Sequence, residues 1–216
     1  ALGVQGRARL SHAAPAGELK LEAVVFYDAV TAGGDTDFRR LSSEARERAG
    51  RDAYLHEAWA GAHGIRLGQQ VLRWSDSPSF GHSLAPVNPI WASRRYQPGN
   101  AAADAYVALP MLTARSGGLQ AFYQLGFEPS EPEAAGTFLS ANDYYSPGAE
   151  FVEVITPFGS RVPRAADRRP GSGGQLGVRI ESPELGRARL VLAGQLMRVH
   201  SREPLVSIRT GTLGGL

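Results

Sequence analysis

The chain has 216 residues, of which 43% are hydrophobic and 20% are charged, and its formal net charge is +2. So small a net charge argues against a nucleic-acid-binding surface. The lack of cysteine excludes disulfides and thiolate metal sites, and no apolar run approaches the ~20 residues of a membrane-spanning helix. The many glycines and prolines indicate turns, so the composition favours a β-rich chain.

Two segments of alternating polarity begin the chain. Apolar and polar residues alternate through Leu2–Ser11, and the alternation resumes in Glu18–Val30 after a turn at Ala13–Gly17. Alternation places apolar side chains on one face of a strand and polar side chains on the other. The next segment, Thr31–Asp52, has apolar residues at helical spacing, which predicts a short amphipathic loop helix.

Three further hairpins are predicted, each with a short internal turn. Their strands are Ala53–Ala62 and Ile65–Ser75, Tyr106–Arg115 and Leu119–Glu128, and Gly174–Glu181 and Arg187–Val199. Long segments rich in proline and glycine, Pro78–Asn100 and Pro129–Gly173, separate these hairpins. In the first of them, Asn88 as a cap and Pro89 as the first helical residue predict a helical turn that ends near Arg94.

Eight strands in four hairpins, with short turns at one end and long loops at the other, are typical of outer-membrane barrels. Strand lengths of about 8–13 residues bracket the ~9–11 residues that a tilted transmembrane strand needs. We therefore predict an all-β fold: an antiparallel up-and-down β-barrel of outer-membrane type, partial, with about eight strands here and long loops on one edge. A soluble sandwich or lipocalin-like barrel would show the same alternation.

In a membrane barrel, the polar faces of these strands line the lumen. The residues expected to face the lumen are Arg7, Arg9, Lys20, Glu22, Gln120, Gln124, Arg179, Arg187 and Arg189. The residues expected to point outward are Leu19, Leu21, Leu176, Val178, Leu190 and Leu192. In a soluble sandwich, the charged row would instead be a solvated face.

The direction of the strands gives an expectation about the whole chain. If the short turns are periplasmic, the first strand descends from the outside, and the eighth strand returns there. A complete bacterial barrel normally begins and ends in the periplasm. We therefore expect residues 1–216 to be a single barrel segment that is part of a larger barrel.

Four motifs in order along the chain resemble those of a known family. Arg66–Ser77 is similar to its R-x-G-x-Q-V-x-x-W-G-E-S run, and Pro86–Ile90 is similar to its (I/V)NP(I/V) loop. Ala121–Leu125 with Glu128-Pro129 resembles its (A/G)-(F/Y)-Y-Q-L…W-E-P strand end, and Gly136–Asp143 resembles its GTYFSTND loop. The family is the proteobacterial domain of unknown function 1302, which comprises large proteins predicted to be outer-membrane β-barrels.

This resemblance implies a bacterial outer-membrane location, contact with membrane lipids, and a role in moving hydrophobic or lipid-like compounds across the envelope. Gene neighbourhood in the family implies two partners: a periplasmic lipoprotein-sorting-like protein and an inner-membrane exporter of the resistance–nodulation–division type. The family supplies no catalytic residue. One departure is Ser75, which stands where the family has glycine, although Asp76 keeps an acid at the next position.

The residues themselves do not predict an enzyme, a cofactor or a metal site. The histidines are scattered without metal-ligand spacing and are interpreted as turn and surface residues. They are His12, His56, His63, His82 and His200. No glycine-rich phosphate loop precedes a helix.

Polar and aromatic residues at strand ends and in loops are interpreted as loop anchors rather than as ligand-gating groups. The candidates are Trp74, Asp76, Asn88, Asn142 and Asp143. The leading hypothesis is a non-enzymatic outer-membrane transport protein. The alternatives are a soluble β-barrel or sandwich that binds a small apolar ligand, and a structural or adhesive envelope protein whose function lies in the two long loops.

Overall fold

The fold is mostly β. A computed structural model of the chain describes residues 3–33, 43–74, 87–95, 97, 99–137, 140, 146–149, 151–154, 160–171, 173–183 and 192–201. The strands are β1 (Gly3–Ala14), β2 (Gly17–Asp28), β3 (Arg51–Ala62), β4 (Ile65–Gln70), β5 (Leu109–Ser116), β6 (Leu119–Gln124), β7 (Phe151–Val154), β8 (Ser160–Pro163), β9 (Gln175–Glu181) and β10 (Ala193–Arg198). The helices are α1 (Ala29–Gly33), α2 (Ser43–Gly50) and α3 (Ala92–Arg95), with a 3-10 turn at Ala102–Ala105.

Eight strands form one antiparallel sheet in the order β1-β2-β3-β4-β5-β6-β9-β10, and β7 pairs only with β8. Neighbours in the sheet follow chain order, as predicted for an up-and-down arrangement. Within the described residues β1 pairs only with β2 and β10 only with β9, so the sheet is open and is not closed into a barrel. No described helix is long and apolar enough to cross a membrane.

Two of the tight turns, at Gly64 and at Gly118, extend the pairing to the next hairpin through their carbonyl groups. His63 and Gly64 have φ values of 52° and 79°, as in the mirror-image turns that match the twist of paired strands. The carbonyl of Gly64 accepts a hydrogen bond from the Arg115 N–H at 2.7 Å. A Cβ at Gly64 would lie 2.2 Å from the Arg115 carbonyl oxygen, so both the backbone angle and the close contact require glycine.

The register divides the side chains of the sheet between two faces. The exposed face carries apolar residues that are between 39% and 81% accessible to solvent. They include Val4, Leu10, Leu19, Leu21, Val25, Leu55, Leu67, Leu112, Leu176, Val178, Ile180 and Leu196. Over β1–β3 the covered face carries charged and polar side chains together with the buried Val24 and Phe26. It is overlaid by the described residues between 87 and 108, here called the inner segment.

The outward positions predicted from alternation lie on the exposed face where they belong to strands. Leu19, Leu21, Leu176 and Val178 are all exposed there. Leu192 is 58% exposed but precedes β10, and Leu190 lies outside the described residues.

The apolar core lies on the covered face of the other half of the sheet. Trp74, Val87, Leu109, Met111 and Phe122 are buried together. Partly buried residues pack around them, namely Leu72, Met197 and Val199. The planes of the Trp74 and Phe122 rings are inclined at 66°, edge to face, and their centroids are 5.0 Å apart. This is a favourable arrangement for two aromatic side chains.

Several predicted boundaries are wrong. β4 ends at Gln70 rather than Ser75, because the chain then turns onto the covered face, where the Leu72 N–H donates to the side chain of Asn88. β6 ends at Gln124 rather than Glu128. Tyr106 makes only an isolated bridge to Ile90, and β5 begins three residues later.

The long loops contain more structure than predicted. The segment Pro129–Gly173 contains the hairpin β7–β8. The predicted amphipathic loop helix corresponds to α2. A helical turn does follow Asn88, but α3 begins at Ala92, and the Asn88 side chain does not cap it.

Candidate functional site on the covered face

Four of the predicted lumen-facing residues meet on the covered face of β1 and β2. Arg9 donates to Glu22 at 2.8 Å, and Arg7 and Lys20 each lie 3.4 Å from the same carboxylate. Glu22 is completely buried, whereas the side chain of Arg9 is 57% exposed. Three cations therefore compensate one buried acid, which satisfies the requirement that a buried charge be paired.

The inner segment is attached to this charged half by polar contacts. Arg7 forms ion pairs with Asp104 at 3.2 Å and donates to Asn100 at 2.9 Å, and Gln5 donates to Asn100 at 2.7 Å. His56 Nε2 lies 3.6 Å from Asp104 Oδ1. Burial raises the pKa of Asp104, but the hydrogen bonds from Arg7 and from the backbone of Ala101 outweigh this effect and hold the pKa below its usual value.

A second contact between the inner segment and β3 surrounds the ring of Tyr54. The guanidinium of Arg94 lies 3.5 Å from the centre of this ring and 4.4 Å from that of Trp91, so it is held between two aromatic faces. Its Nε is 3.6 Å from an oxygen of Asp52. Burial lowers the pKa of Arg94, and the charge of Asp52 partly opposes this shift.

Two predicted lumen-facing residues of the apolar half, Gln120 and Arg179, contact the predicted loop anchor Trp74. The indole N–H of Trp74 donates to Gln120 at 3.1 Å, and Arg179 donates to the Trp74 carbonyl oxygen. Arg179 also pairs with Glu181. Gln124 is completely buried on the covered face opposite Met111.

Asn88, another loop-anchor candidate, joins the end of β4 to the inner segment through three hydrogen bonds. Its amide nitrogen donates to the carbonyl oxygens of Gln70 at 2.8 Å and Val107 at 2.9 Å, and its oxygen accepts from Leu72 at 2.8 Å. The side chain thus satisfies backbone groups left unpaired where β4 ends. The other loop-anchor candidates, Asp76, Asn142 and Asp143, and the lumen-facing candidates Arg187 and Arg189 lie outside the described residues.

The sequence interpretation missed several residues of the covered face. His56 was expected on a turn or the surface but is 3% exposed, because the register between β2 and β3 shifts at Glu22/Ala23 and the extra residue turns inward. Arg94, Asn100 and Asp104 were assigned to a loop or its flank. Alternation carries no signal for either feature, since a bulge interrupts it and the inner segment lacks it.

The described residues contain no group of three histidines and acids placed to hold a metal ion. The polar contacts are ion pairs and hydrogen bonds among side chains that hold the inner segment on the sheet. This arrangement can orient a bound polar group, but it presents no nucleophile paired with a base among the described contacts.

Fold and covered face together define the class: an eight-stranded antiparallel sheet with one apolar and one partly charged face. The model of the family described as "Protein of unknown function (DUF1302)" matches residues 2–214, so the chain belongs to that family, and the resemblance seen in its motifs is confirmed. No curated protein and no solved structure matches the chain.

Proposed function

We propose that this chain forms part of the wall of a bacterial outer-membrane β-barrel that moves hydrophobic or lipid-like small molecules across the envelope. The observation that carries the proposal is the segregation of side chains across all eight strands of the sheet. Leucine, valine and isoleucine are exposed on one face, while Arg7, Lys20 and Glu22 lie on the other, where Arg7 contacts the inner segment.

The exposed face fits a lipid environment better than water. Soluble monomers rarely expose contiguous apolar patches larger than a few hundred Å², and here such residues continue from Val4 on β1 to Leu196 on β10. No described segment forms a second layer over this face, as a soluble sandwich would require. Membrane lipids are accordingly the proposed partner of this face.

Open sheet edges cannot face lipid, because each unpaired backbone group costs several kcal/mol there. In the proposed barrel, the free edges of β1 and β10 pair with each other or with further strands. Once the sheet is closed, its polar side surrounds the passage, so the covered face lines the lumen of the proposed barrel.

The absence of cysteine permits a direct test with single labels. Arg9 and Leu10 are adjacent on β1, more than half exposed, and on opposite faces. The variants R9C and L10C of the full chain are labelled with an environment-sensitive fluorophore in vesicles that contain brominated lipid. We expect strong quenching at L10C and weak quenching at R9C, and equal weak quenching at both positions would overturn the membrane proposal.

Transport is tested separately in Gram-negative cells that lack the native gene. Cells that express the full chain are expected to accumulate a hydrophobic fluorescent probe faster than cells with an empty vector, at equal outer-membrane integrity. Equal rates would contradict a transport role and favour the structural alternative. The periplasmic lipoprotein-sorting-like protein and the inner-membrane exporter stay predicted partners.

A further inference from the structure

Polar atoms without partners cluster where the inner segment meets β3. Within the described part of the chain, His56 Nδ1, Arg94 Nε and Gln97 Nε2 are buried and have no hydrogen-bond partner. The three residues are 3%, 4% and 3% exposed. Arg94 Nε has Asp52 within 3.6 Å, beyond hydrogen-bond distance, and His56 Nδ1 and Gln97 Nε2 have no partner. Buried polar atoms are nearly always paired, so these atoms call for a partner beyond the described residues.

Tyr54 lies at the centre of this cluster. Arg94 stacks on the Tyr54 ring, and the Tyr54 hydroxyl donates to Gln97 Oε1 at 3.4 Å. The centroid of the His56 ring lies 6.4 Å from that of the Tyr54 ring, edge to face. Asn100 also donates to Gln97 Oε1, at 3.3 Å, which fixes the amide with its nitrogen as the free donor. The orphans of Arg94 and Gln97 are therefore N–H donors, and a group that satisfies both is an acceptor.

Among the described residues, the same stretch of β3 has no strand partner on its β4 side, and it lies beside an apolar surface. β3 pairs with β2 from Arg51 to Gly61 but with β4 only from Ala58 to Ala62. Leu55 points to the exposed face and is 48% accessible to solvent, while its neighbours Tyr54 and His56 point to the covered face. The donors and the apolar face thus lie on opposite sides of β3, at a stretch that has no described partner on its β4 side.

We propose that the cluster around Tyr54 is a binding site for the carboxylate head of a single-chain amphiphile whose tail lies against Leu55 on the exposed face. The site rests on the proposed function and specifies its substrate class. Arg94 supplies a charged donor and Gln97 a neutral one, which suits an anionic head more than an alcohol or ester. Asp52 balances the guanidinium when the site is empty.

The test compares an anionic probe with its neutral partner. The full chain in detergent is titrated with 11-(dansylamino)undecanoate and with the methyl ester of this acid, and dansyl fluorescence reports binding. The variant Gln97→Glu keeps the shape of the side chain but places a second carboxylate beside the head. We expect the acid to bind about tenfold more weakly and the ester to bind as it does to the unaltered chain.

The control variant is Gln195→Glu, the same chemical change at an exposed position of β10, which should leave the binding of both probes unchanged. If Gln97→Glu does not fold, Gln97→Leu removes the donor without adding charge and should weaken the acid alone, by a few-fold. Equal weakening of acid and ester, no binding of the acid, or no effect of either variant would overturn the proposed site.

A label at Leu55→Cys locates the tail. Its emission should shift when the acid binds, whereas a label at Leu112→Cys, on the same face but on β5, should not respond. A response at both positions or at neither would contradict the placement of the tail. Lipid quenching at L10C is independent of these outcomes, so a failed head-group site and a failed membrane proposal can be told apart.

Discussion

The two halves of the covered face hold the chain together by different means. Over β1–β3, the inner segment is held by ion pairs and hydrogen bonds to residues such as Arg7 and His56. Over β4–β6 and β9, it is held by the packing of Trp74, Val87 and Phe122. Apolar packing is strong and does not depend on salt, whereas ion pairs, such as those of the partly exposed Arg7 and Arg9, can exchange partners. The apolar half therefore holds the inner segment firmly, whereas in the charged half a ligand can compete for the polar groups that hold it.

The largest effect is expected from a substitution in the apolar half. Phe122→Ala removes a buried ring from the contact with Trp74 and should lower the free energy of unfolding by about 3–5 kcal/mol. Unfolding by guanidinium in detergent, followed by circular dichroism, measures this loss. Tyr123→Ala, the adjacent position on the exposed face, should cost much less in detergent, and equal losses would show that the two faces are packed alike.

The next effect comes from detaching the inner segment from the end of β4. Asn88→Ala deletes three hydrogen bonds to backbone groups, two of them buried, and should cost about 3 kcal/mol, because those groups remain unpaired. Amide hydrogen exchange should then increase at Leu72 and Val107 more than at β1. Unchanged protection at these two positions would contradict the anchoring role.

A smaller loss is expected in the charged half. Glu22→Gln leaves Arg7, Arg9 and Lys20 without their shared carboxylate and should cost about 2 kcal/mol, since these cations keep part of their hydration. The matched change Glu18→Gln breaks a more exposed pair with Arg66 and should cost at most about 1 kcal/mol. If Glu18→Gln proves the more costly change, burial does not set the strength of these pairs.

The smallest effect is expected at Glu133, whose charge is not compensated by three cations as that of Glu22 is. Burial raises the pKa of Glu133 from 4.5 to about 7, partly opposed by Arg95. Between these pH values the folded chain keeps a proton on Glu133 that the unfolded chain releases, and this bound proton favours the folded state. The resulting stabilisation, relative to high pH, is complete below pH 4.5 and is lost as the pH rises through about 7. Glu133→Gln should therefore stabilise the chain by about 1 kcal/mol at pH 8 and change little at pH 4.5. Equal effects at both pH values would show that the carboxylate titrates normally.

The sequence allowed the sheet to be predicted because its alternation is local. Leu19 and Leu21, or Arg7 and Arg9, differ by two positions, so each pair shares a face in any strand of ordinary geometry. The turns at Gly64 and Gly118 were visible for the same reason, since two or three residues specify them. Gln120 and Arg179 were assigned to the polar face in this way without any knowledge of their partners.

The candidate site was not predictable in the same manner. Arg94, Gln97 and Tyr54 are brought together by a segment that folds back onto the sheet after Gln70. His56 turns inward because of a register shift. Neither feature produces a periodic pattern in the sequence. The first depends on contacts between residues about 40 positions apart, and the second depends on one extra residue in a strand.

The sequence by itself determined the family, the antiparallel strand order and the apolar and polar faces, because motifs, turns and alternation are properties of neighbouring residues. The tertiary structure alone decided that the sheet is open among the described residues and that the segment around Asn88 lies over its polar face. It also decided that the buried donors of Arg94 and Gln97 meet beside the part of β3 that has no described partner on its β4 side. These features depend on which distant residues satisfy each other's charges and hydrogen bonds, and only the folded chain brings such residues into contact.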